Sequence, residues 1–368
     1  MSKFKVIQLL PELNIGGVER GTKDFSKVLV ERGHDSLVIS NGGIFEKDII
    51  EDGGKHINLP IHKKSLFSIR YASDLRDIYL SEKPDIVHVR SRMPAWINYF
   101  AYKKLSHKPL LVSTFHGLYS TPLYSQVMSK VDHIIAISKT VKDYIQGTYK
   151  VPNEKITVIP RGCDPEIFNK NPVEETWIKK WYEEFPQTQD KIILTMPTRI
   201  SKWKGVDSFI DLVNLLDDDN YHALIVGPTA KSKKSYLKQL QNKIAYYGIE
   251  DKITLTGSRN DISNIYKISD FVFNLSIKPA PFGRTTIEAI SSGSKVIGWN
   301  HGGTKEILEE LYSDGLVELG NIEDLAKKVI YLSNITNNMP KENIFTSERM
   351  TNNTISLYQD LLKNHKPH

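Results

Sequence analysis

Short runs of aliphatic and β-branched residues recur along the whole chain, separated by segments long enough to form a helix. A first series occupies residues 4–10, 36–40, 85–89, 110–114, 133–137 and 156–159. A second series follows at 191–196, 222–226, 253–255, 271–275, 295–299 and 315–318. Continuous apolar strands that alternate with helices are typical of parallel sheets covered on both faces. The pattern predicts an α/β chain with two doubly wound, Rossmann-like domains in tandem.

The length of the chain agrees with two domains, because 368 residues exceed what one hydrophobic core usually supports. The stretch 160–190, which contains several prolines and polar residues, is the predicted connector. We place an N-terminal domain at residues 1–165, a second domain at 166–345 and a C-terminal helix at 346–368. Sheets of this kind bind ligands beyond the carboxyl ends of their strands. We therefore expect the two domains to face each other across a ligand-binding cleft.

The composition predicts a soluble globular protein. The chain is 40% hydrophobic and 25% charged, and no apolar run approaches the ~20 residues that span a bilayer. The N-terminus enters a strand almost at once and lacks the apolar region and cleavage site of a signal peptide, so we expect a cytoplasmic protein. The single cysteine, Cys163, excludes an intramolecular disulfide and a cysteine-based structural zinc site.

The net charge of +6 is concentrated in the N-terminal half. Residues 1–165 hold 24 Lys and Arg against 17 Asp and Glu, whereas residues 166–368 hold 25 against 26. A basic surface can serve nucleic acid, an anionic membrane surface or an anionic acceptor, and scattered lysines can also be a solvated face. We expect no nucleic-acid partner, because no aromatic-interleaved basic strip or recognition motif accompanies the charge.

The most informative stretch is 276–290, where a proline- and glycine-rich turn joins an apolar strand to a helix predicted to begin near Arg284. The first N–H groups of such a helix are unpaired and its dipole is positive there, so a diphosphate can lie over Gly283, Arg284 and Thr285. Glu288 lies one turn further on, where its carboxylate can accept hydrogen bonds from a ribose diol. An acidic residue in the first turns of a helix is also favourable without a ligand.

This stretch, with Pro281 and Phe282 before Gly283, resembles the donor-nucleotide motif of family 4 of the retaining GT-B glycosyltransferases. That motif is normally Glu-Pro-Phe-Gly-x-x-x-x-Glu. Here the first glutamate is replaced by Ala280. The resemblance extends along nearly the whole chain, in the right order, through the 158–168 segment, Asp314-Gly-Leu-Val and the C-terminal helix.

The resemblance implies a GT-B fold and a retaining, metal-independent glycosyltransferase of hexosyltransferase type. Such an enzyme moves a sugar from a nucleotide-sugar donor, in which the sugar is attached to a nucleoside diphosphate, to a hydroxyl on a lipid-linked or lipopolysaccharide-type glycan. It implies no cofactor, a glycan or glycolipid acceptor, and a place on the inner face of the cytoplasmic membrane. The C-terminal helix is expected to cross back to the N-terminal domain.

Two cations follow the first strand of the second domain. Arg199 and Lys204 match the family's Gly-Arg-x-x-x-x-Lys-Gly segment, with Thr198 in place of its first glycine. A guanidinium and an ammonium aimed at a diphosphate can neutralise the charge that develops when the glycosidic bond breaks. After the first strand of the chain, Gly16 and Gly17 resemble the family's glycine-rich loop. Paired glycines allow close approach to a phosphate or sugar, although any strand-to-helix turn can use them.

Three further residues follow strands of the first domain. His116 matches the family's histidine beside the donor sugar, where a neutral imidazole can bind the 6-hydroxyl or stabilise charge at the anomeric carbon; a lone histidine is more often structural. Arg90 and Arg92 end the preceding strand and can bind an anionic acceptor. They can equally be solvated or cap a helix.

No metal site is expected, because no Asp-x-Asp motif lies at a strand end and Asp217-Asp218-Asp219 reads as a polar turn. The histidines show no metal-ligand spacing, and there is no Gly-x-Ser-x-Gly elbow. A GT-B epimerase or phosphorylase stays open as a rival with the same architecture, although no pyridoxal-binding lysine context is visible. A catalytically weakened nucleotide-sugar-binding protein is a second rival, motivated by Ala280.

Overall fold

The computed structural model describes residues 3–335 and 337–365. The described chain forms two compact units. Unit 1 contains residues up to 160 and those from 350 onward, and unit 2 contains residues 161–349. Each unit is a parallel sheet covered by helices, so the predicted α/β class is confirmed.

Unit 1 is built on a seven-stranded sheet in the order β3-β2-β1-β4-β5-β6-β7. Its strands are β1 (Lys5–Leu9), β2 (Asp35–Ser40), β3 (Lys55–Asn58), β4 (Ile86–Val89), β5 (Leu110–Phe115), β6 (His133–Ala136) and β7 (Ile156–Val158). Its helices are α1 (Gly17–Glu31), α2 (Glu46–Glu51), α3 (Tyr71–Glu82), α4 (Arg92–Tyr102), α5 (Pro122–Ser125) and α6 (Lys139–Tyr149). Every strand pair is parallel, as the apolar runs predict.

The core of unit 1 also uses the end of the chain. Tyr358, from the C-terminal helix Ser347–Asn364, is fully buried against Phe4 and Phe25. Its hydroxyl bonds His88 Nδ1 at 2.6 Å, and His88 Nε2 lies 2.7 Å from Thr114 Oγ1. The C-terminal helix therefore covers one face of this sheet.

Unit 2 is built on a six-stranded parallel sheet in the order β10-β9-β8-β11-β12-β13. Its strands are β8 (Ile192–Pro197), β9 (Tyr221–Val226), β10 (Ile253–Gly257), β11 (Phe271–Asn274), β12 (Lys295–Trp299) and β13 (Leu316–Val317). Its helices are α7 (Glu175–Glu184), α8 (Val206–Leu216), α9 (Lys234–Tyr247), α10 (Ile262–Lys267), α11 (Arg284–Ser291), α12 (Gly302–Leu311) and α13 (Ile322–Ser333), and the C-terminal helix is α14.

In each unit the carboxyl ends of the central strands lead into the loops that carry the predicted site residues. In unit 1 the chain reverses direction across the sheet between β1 and β4, and in unit 2 between β8 and β11. Such switch points are where open α/β sheets bind ligands. Among residues 3–335 and 337–365, no helix is both long enough and apolar enough to cross a bilayer.

Candidate functional site

The turn between β11 and α11 is the centre of the candidate site in unit 2. The helix begins at Arg284, and Gly283 before it adopts φ 106°, a left-handed conformation that glycine reaches without strain. Thr286 N–H bonds the Gly283 carbonyl at 3.0 Å. Because Gly283 has no side chain with which to cap α11, the first turn can offer its N–H groups to an anion.

A second glycine turn, between β12 and α12, holds this turn in place. Gly303 N–H donates to the Ala280 carbonyl at 2.7 Å, and a Cβ on Gly303 would lie 2.3 Å from the Phe282 carbonyl oxygen. His301 Nε2 lies 2.7 Å from the Ser276 carbonyl oxygen. Only glycine fits at 303, so the shape of 276–283 depends on a segment about twenty residues further along the chain.

Glu288 is buried, with 7% of the residue exposed. Its Oε1 accepts a hydrogen bond from Arg284 Nη2 at 3.0 Å, and its Oε2 lies 3.5 Å from the Tyr266 hydroxyl. Burial, and then the charge of Glu288, raise the pKa of Tyr266 well above its ordinary value, so this hydroxyl stays a donor. Tyr266 was missed by the sequence analysis, since nothing marks a residue on α10 as a neighbour of α11.

The loop after β8 packs directly on the β11–α11 turn. Ile277 N–H donates to the Trp203 carbonyl at 3.0 Å. Gly205 adopts φ 80°, and a Cβ there would lie 1.8 Å from the Leu275 carbonyl oxygen. The two loops that carry the predicted leaving-group cations and the predicted diphosphate site are therefore brought together.

Within that loop the two cations have different surroundings. Arg199 is exposed, whereas Lys204 is half-buried with Nζ 4.4 Å from the ring centre of Trp203. Burial, and then the nearby charge of Arg199, lower the pKa of Lys204. Thr198 replaces the family's glycine, and its carbonyl oxygen packs so closely on Gly227 that a Cβ at position 227 would lie 2.1 Å from it.

The glycine-rich loop of unit 1 begins α1. Gly16 is the residue before the helix and Gly17 is its first residue. Gly16 is extended, and the nearest atoms to a Cβ there would be those of the flexible Glu19 carboxylate. The stronger steric requirement falls on Gly43, whose Cβ would lie 2.5 Å from the backbone of Leu13. The Asn-Gly-Gly sequence after β2 was the signal for this support, and it was overlooked.

Arg92 and His116 share the neighbour Tyr119. The backbone N–H of His116 donates to the Tyr119 hydroxyl at 3.4 Å, and the Arg92 guanidinium lies 4.9 Å from the Tyr119 ring centre. Arg92 Nη1 also donates to Thr121 Oγ1 at 2.9 Å. These contacts hold the guanidinium against Tyr119, at the carboxyl edge of the sheet.

Arg90 lies in a different environment. It is 8% exposed, its Nε donates to Gln8 Oε1 at 2.9 Å, and its guanidinium lies 5.6 Å from the ring centre of Phe25. Burial lowers its pKa to about 10. The two arginines predicted as one acceptor pair thus occupy separate surroundings, and Arg92 is the more accessible.

In the described part of the chain, no group of three His, Cys, Asp or Glu side chains is arranged to hold a metal ion. The Asp217–Asp219 turn pairs instead with Lys252, whose Nζ lies 2.9 Å from Asp219 and 3.7 Å from Asp217.

Comparison with known proteins gives the family. The family model described as Glycosyltransferase Family 4 matches residues 15–167, and the one described as Glycosyl transferases group 1 matches residues 178–349. A glycosyltransferase from Rickettsia africae has 30% sequence identity and a TM-score of 0.86, with 99% of this chain and 100% of that chain covered. The chain belongs to the group 1 glycosyltransferases.

Other members of this kind are more distant. N-acetyl-alpha-D-glucosaminyl L-malate synthase of Bacillus anthracis is 24% identical over 96% of both chains. The Anabaena protein Alr3699/HepE, solved in complex with UDP-glucose, has 19% identity and a TM-score of 0.72 over 98% of both chains. The predicted GT-B fold of this glycosyltransferase is thus confirmed, and the site residues fall within the matched segments.

Proposed function

We propose that this glycosyltransferase is retaining and metal-independent, and that it transfers a sugar from a nucleoside diphosphate to a hydroxyl of a lipid-linked or lipopolysaccharide-type glycan. The observation that carries the proposal is the packing of the Arg199–Lys204 loop on the β11–α11 turn through the Ile277–Trp203 hydrogen bond. This packing brings two cations beside an uncapped helix N-terminus. The combination suits a leaving diphosphate.

In the proposed reaction, the bond between the anomeric carbon and the diphosphate oxygen breaks while the acceptor oxygen bonds the same carbon from the same face. The acceptor proton passes to the departing diphosphate. Arg199, Lys204 and the first N–H groups of α11 neutralise the charge that develops on this leaving group. No carboxylate nucleophile is required. We assign Glu288 to the ribose and His116, by the family resemblance, to the donor sugar.

Two relatives support parts of the proposal. HepE, which has the same fold, is described as a complex with UDP-glucose, and this supports a nucleotide-sugar donor. The name of the Bacillus relative describes an α-D-glucosaminyl product. An α-linked product is what retention gives from an α-linked nucleotide sugar. We also propose that the acceptor is reached by peripheral association with an anionic membrane.

The proposal is tested with a panel of nucleotide-sugars, using thermal stabilisation and slow hydrolysis as readouts. At least one donor is expected to stabilise the protein and to be hydrolysed. The anomeric configuration of the transferred sugar, determined by NMR, tests retention. A panel in which no donor binds or reacts would overturn the donor assignment, and an inverted product would overturn retention.

Metal independence has its own test. Activity is expected to survive EDTA, since the cations and α11 meet the charge of the diphosphate. Complete loss on chelation, restored by magnesium or manganese, would contradict this. A second candidate, a binding protein with weakened catalysis, is favoured by Ala280, and it predicts donor binding without transfer.

A further inference from the structure

The segment between Asp85 and Asp132 has an unusual charge distribution. Its 46 residues, 86–131, contain no Asp or Glu. At the overall acidic content of 43 in 368 residues, a segment of this length would hold about five. It contains six basic residues, which make up most of the excess of 24 basic over 17 acidic residues in 1–165: Arg90, Arg92, Lys103, Lys104, Lys108 and Lys130.

Helices α4 and α5 fold part of this segment into an aromatic cluster. The Trp96 ring stacks on Phe100 and on Tyr124, with centroid distances of 6.2 and 6.5 Å. Tyr99 packs edge-on against Trp96 at 6.0 Å, and Trp96 Nε1 donates to the Tyr124 carbonyl at 2.9 Å. This cluster was not predicted from the sequence, because the rings meet only when α4 and α5 pack together.

Apolar side chains and lysines of this region reach the surface together. Leu123 is 88% exposed and Phe100 is 37% exposed. Lys103 and Lys130 place Nζ 4.7 and 5.1 Å from the Tyr99 ring centre, and both residues are exposed, as is Lys104. We call the surface formed by these five exposed residues the α4–α5 face.

We propose that the α4–α5 face docks on an anionic lipid bilayer. Amphipathic aromatic rings are favoured at the level of lipid headgroups, and lysines near the surface are attracted to anionic lipids. The exposed leucine and phenylalanine can enter the boundary of the acyl region while the lysine ammonium groups stay among the phosphates. The inference deepens the membrane association given above, on which it rests, by naming the residues that make it.

The features of the face favour a bilayer over a nucleic acid. Single-stranded nucleic acids bind to aromatic side chains that offer a free ring face to each base. Here the rings stack on one another, and the most exposed apolar side chain is Leu123, which cannot stack on a base. Contact with lipid can use both the ring cluster and the exposed leucine.

The test is sedimentation of the full-length protein with vesicles of phosphatidylcholine alone or mixed with phosphatidylglycerol. The wild type is expected to bind the mixed vesicles and to be released by salt. Replacing Lys103, Lys104 and Lys130 by Glu should lower partitioning by at least about 100-fold, since each lysine contributes about 1 kcal/mol and 1.4 kcal/mol is tenfold. The double variant Phe100→Ser/Leu123→Ser should lower it by about tenfold or more.

A matched control changes the same number of charges elsewhere. Lys47, Lys179 and Lys180 are exposed lysines on α2 and α7, and their replacement by Glu gives the same net charge. The control should bind far better than the α4–α5 variant. Equal loss in both triple variants, equal binding of the wild type to both kinds of vesicle, or stronger binding to single-stranded RNA than to vesicles would each overturn the proposal.

Failure of docking can be told apart from failure of the enzymatic proposal. Nucleotide-sugar hydrolysis in solution, without vesicles, is expected at the wild-type rate in both α4–α5 variants, because none of the substituted residues is a candidate site residue. A wild type that binds vesicles but no nucleotide-sugar would leave the docking surface intact and overturn the transferase proposal alone.

Discussion

Arg284 and Glu288 form an ion pair across one turn of α11, with Nη2 3.0 Å from Oε1. The two partners differ in exposure: 10% of the Glu288 side chain is accessible, against 45% of the Arg284 side chain. The pair therefore fixes a buried carboxylate while leaving its guanidinium within reach of solvent. An arriving diphosphate can recruit that guanidinium without moving Glu288, because Tyr266 remains against the other oxygen.

We predict that Glu288→Gln weakens binding of a nucleoside diphosphate by roughly 10- to 100-fold, the usual worth of hydrogen bonds to a charged group. The substitution keeps the shape of the side chain, so the fold should persist. Calorimetry with ribose and 2′- and 3′-deoxyribose nucleotides gives the check. The wild type should prefer the ribose form, and the variant should not. An unchanged preference in the variant would remove Glu288 from the ribose.

Arg199→Ala and Lys204→Ala should each lower kcat by roughly 10²- to 10³-fold, as expected when one preorganised charge-stabilising donor is lost. Lys202 offers a matched control, since it is an exposed lysine in the same short 3-10 helix. Lys202→Ala should leave kcat near the wild-type value. Turnover at the wild-type rate in both alanine variants would show that the leaving group lies elsewhere.

The pH dependence should report the lowered pKa of Lys204. The ammonium is charged below its pKa, so burial and Arg199 bring the loss of charge to a lower pH than the ordinary 10.5. As pH rises, the activity that depends on the charged ammonium should therefore fall at a lower pH than it would with an ordinary lysine. Arg199→Gln removes one cause of the shift and should move the basic limb of the kcat/KM profile to higher pH. Superimposable basic limbs would contradict the coupling.

Gly205 should tolerate alanine much less well than Gly320. The two glycines have nearly the same backbone angle, φ 80° and φ 82°, but only Gly205 lacks room for a Cβ. Gly320→Ala should cost about 1–2 kcal/mol in left-handed strain. Gly205→Ala adds overpacking of about 1–3 kcal/mol against the Leu275 carbonyl. Urea unfolding of both variants measures the difference, and equal destabilisation would refute the steric argument.

Much of the fold could be predicted because buried parallel strands leave continuous apolar runs. Every strand of both sheets lies at or within a few residues of a predicted run except β3, Lys55–Asn58. That strand is a partly exposed sheet edge with the sequence Lys-His-Ile-Asn, so no apolar run marks it. Helix α11 begins at Arg284, where the proline- and glycine-rich turn predicted it.

The contacts that hold the site residues in place were less predictable, because they join residues that are far apart in the sequence. Tyr266 meets Glu288 across 22 positions, and Gly43 meets Leu13 across 30. A sequence pattern shows the period of one element, but not which elements it will pack against. The separate surroundings of Arg90 and Arg92 were also not predictable, because β4 ends at Val89 and Arg92 is already the first residue of α4.

Our last prediction is that Ala280 uncouples nucleotide binding from recognition of the donor sugar. The residue is 8% exposed, and its carbonyl already accepts the Gly303 N–H. Pro281 has no N–H, so only Ala280, Phe282 and Gly283 can offer backbone donors to the sugar hydroxyls from this turn. We expect the bare nucleoside diphosphate to bind with ordinary affinity, and transfer to be slow or restricted to particular donors.

Ala280→Glu restores the carboxylate found in the resembling family, and it should change the donor preference or the rate while leaving nucleoside diphosphate affinity unchanged. Ala280→Gln is the matched control, because it adds the same volume without the charge. If only the glutamate variant alters the ratio of rates among nucleotide-sugars, the missing charge sets selectivity. If both variants alter it, the space left by alanine does, and this would fit a substituted donor sugar. Rates and preferences that match the wild type in both variants, with unchanged melting temperatures, would show that position 280 does not read the sugar.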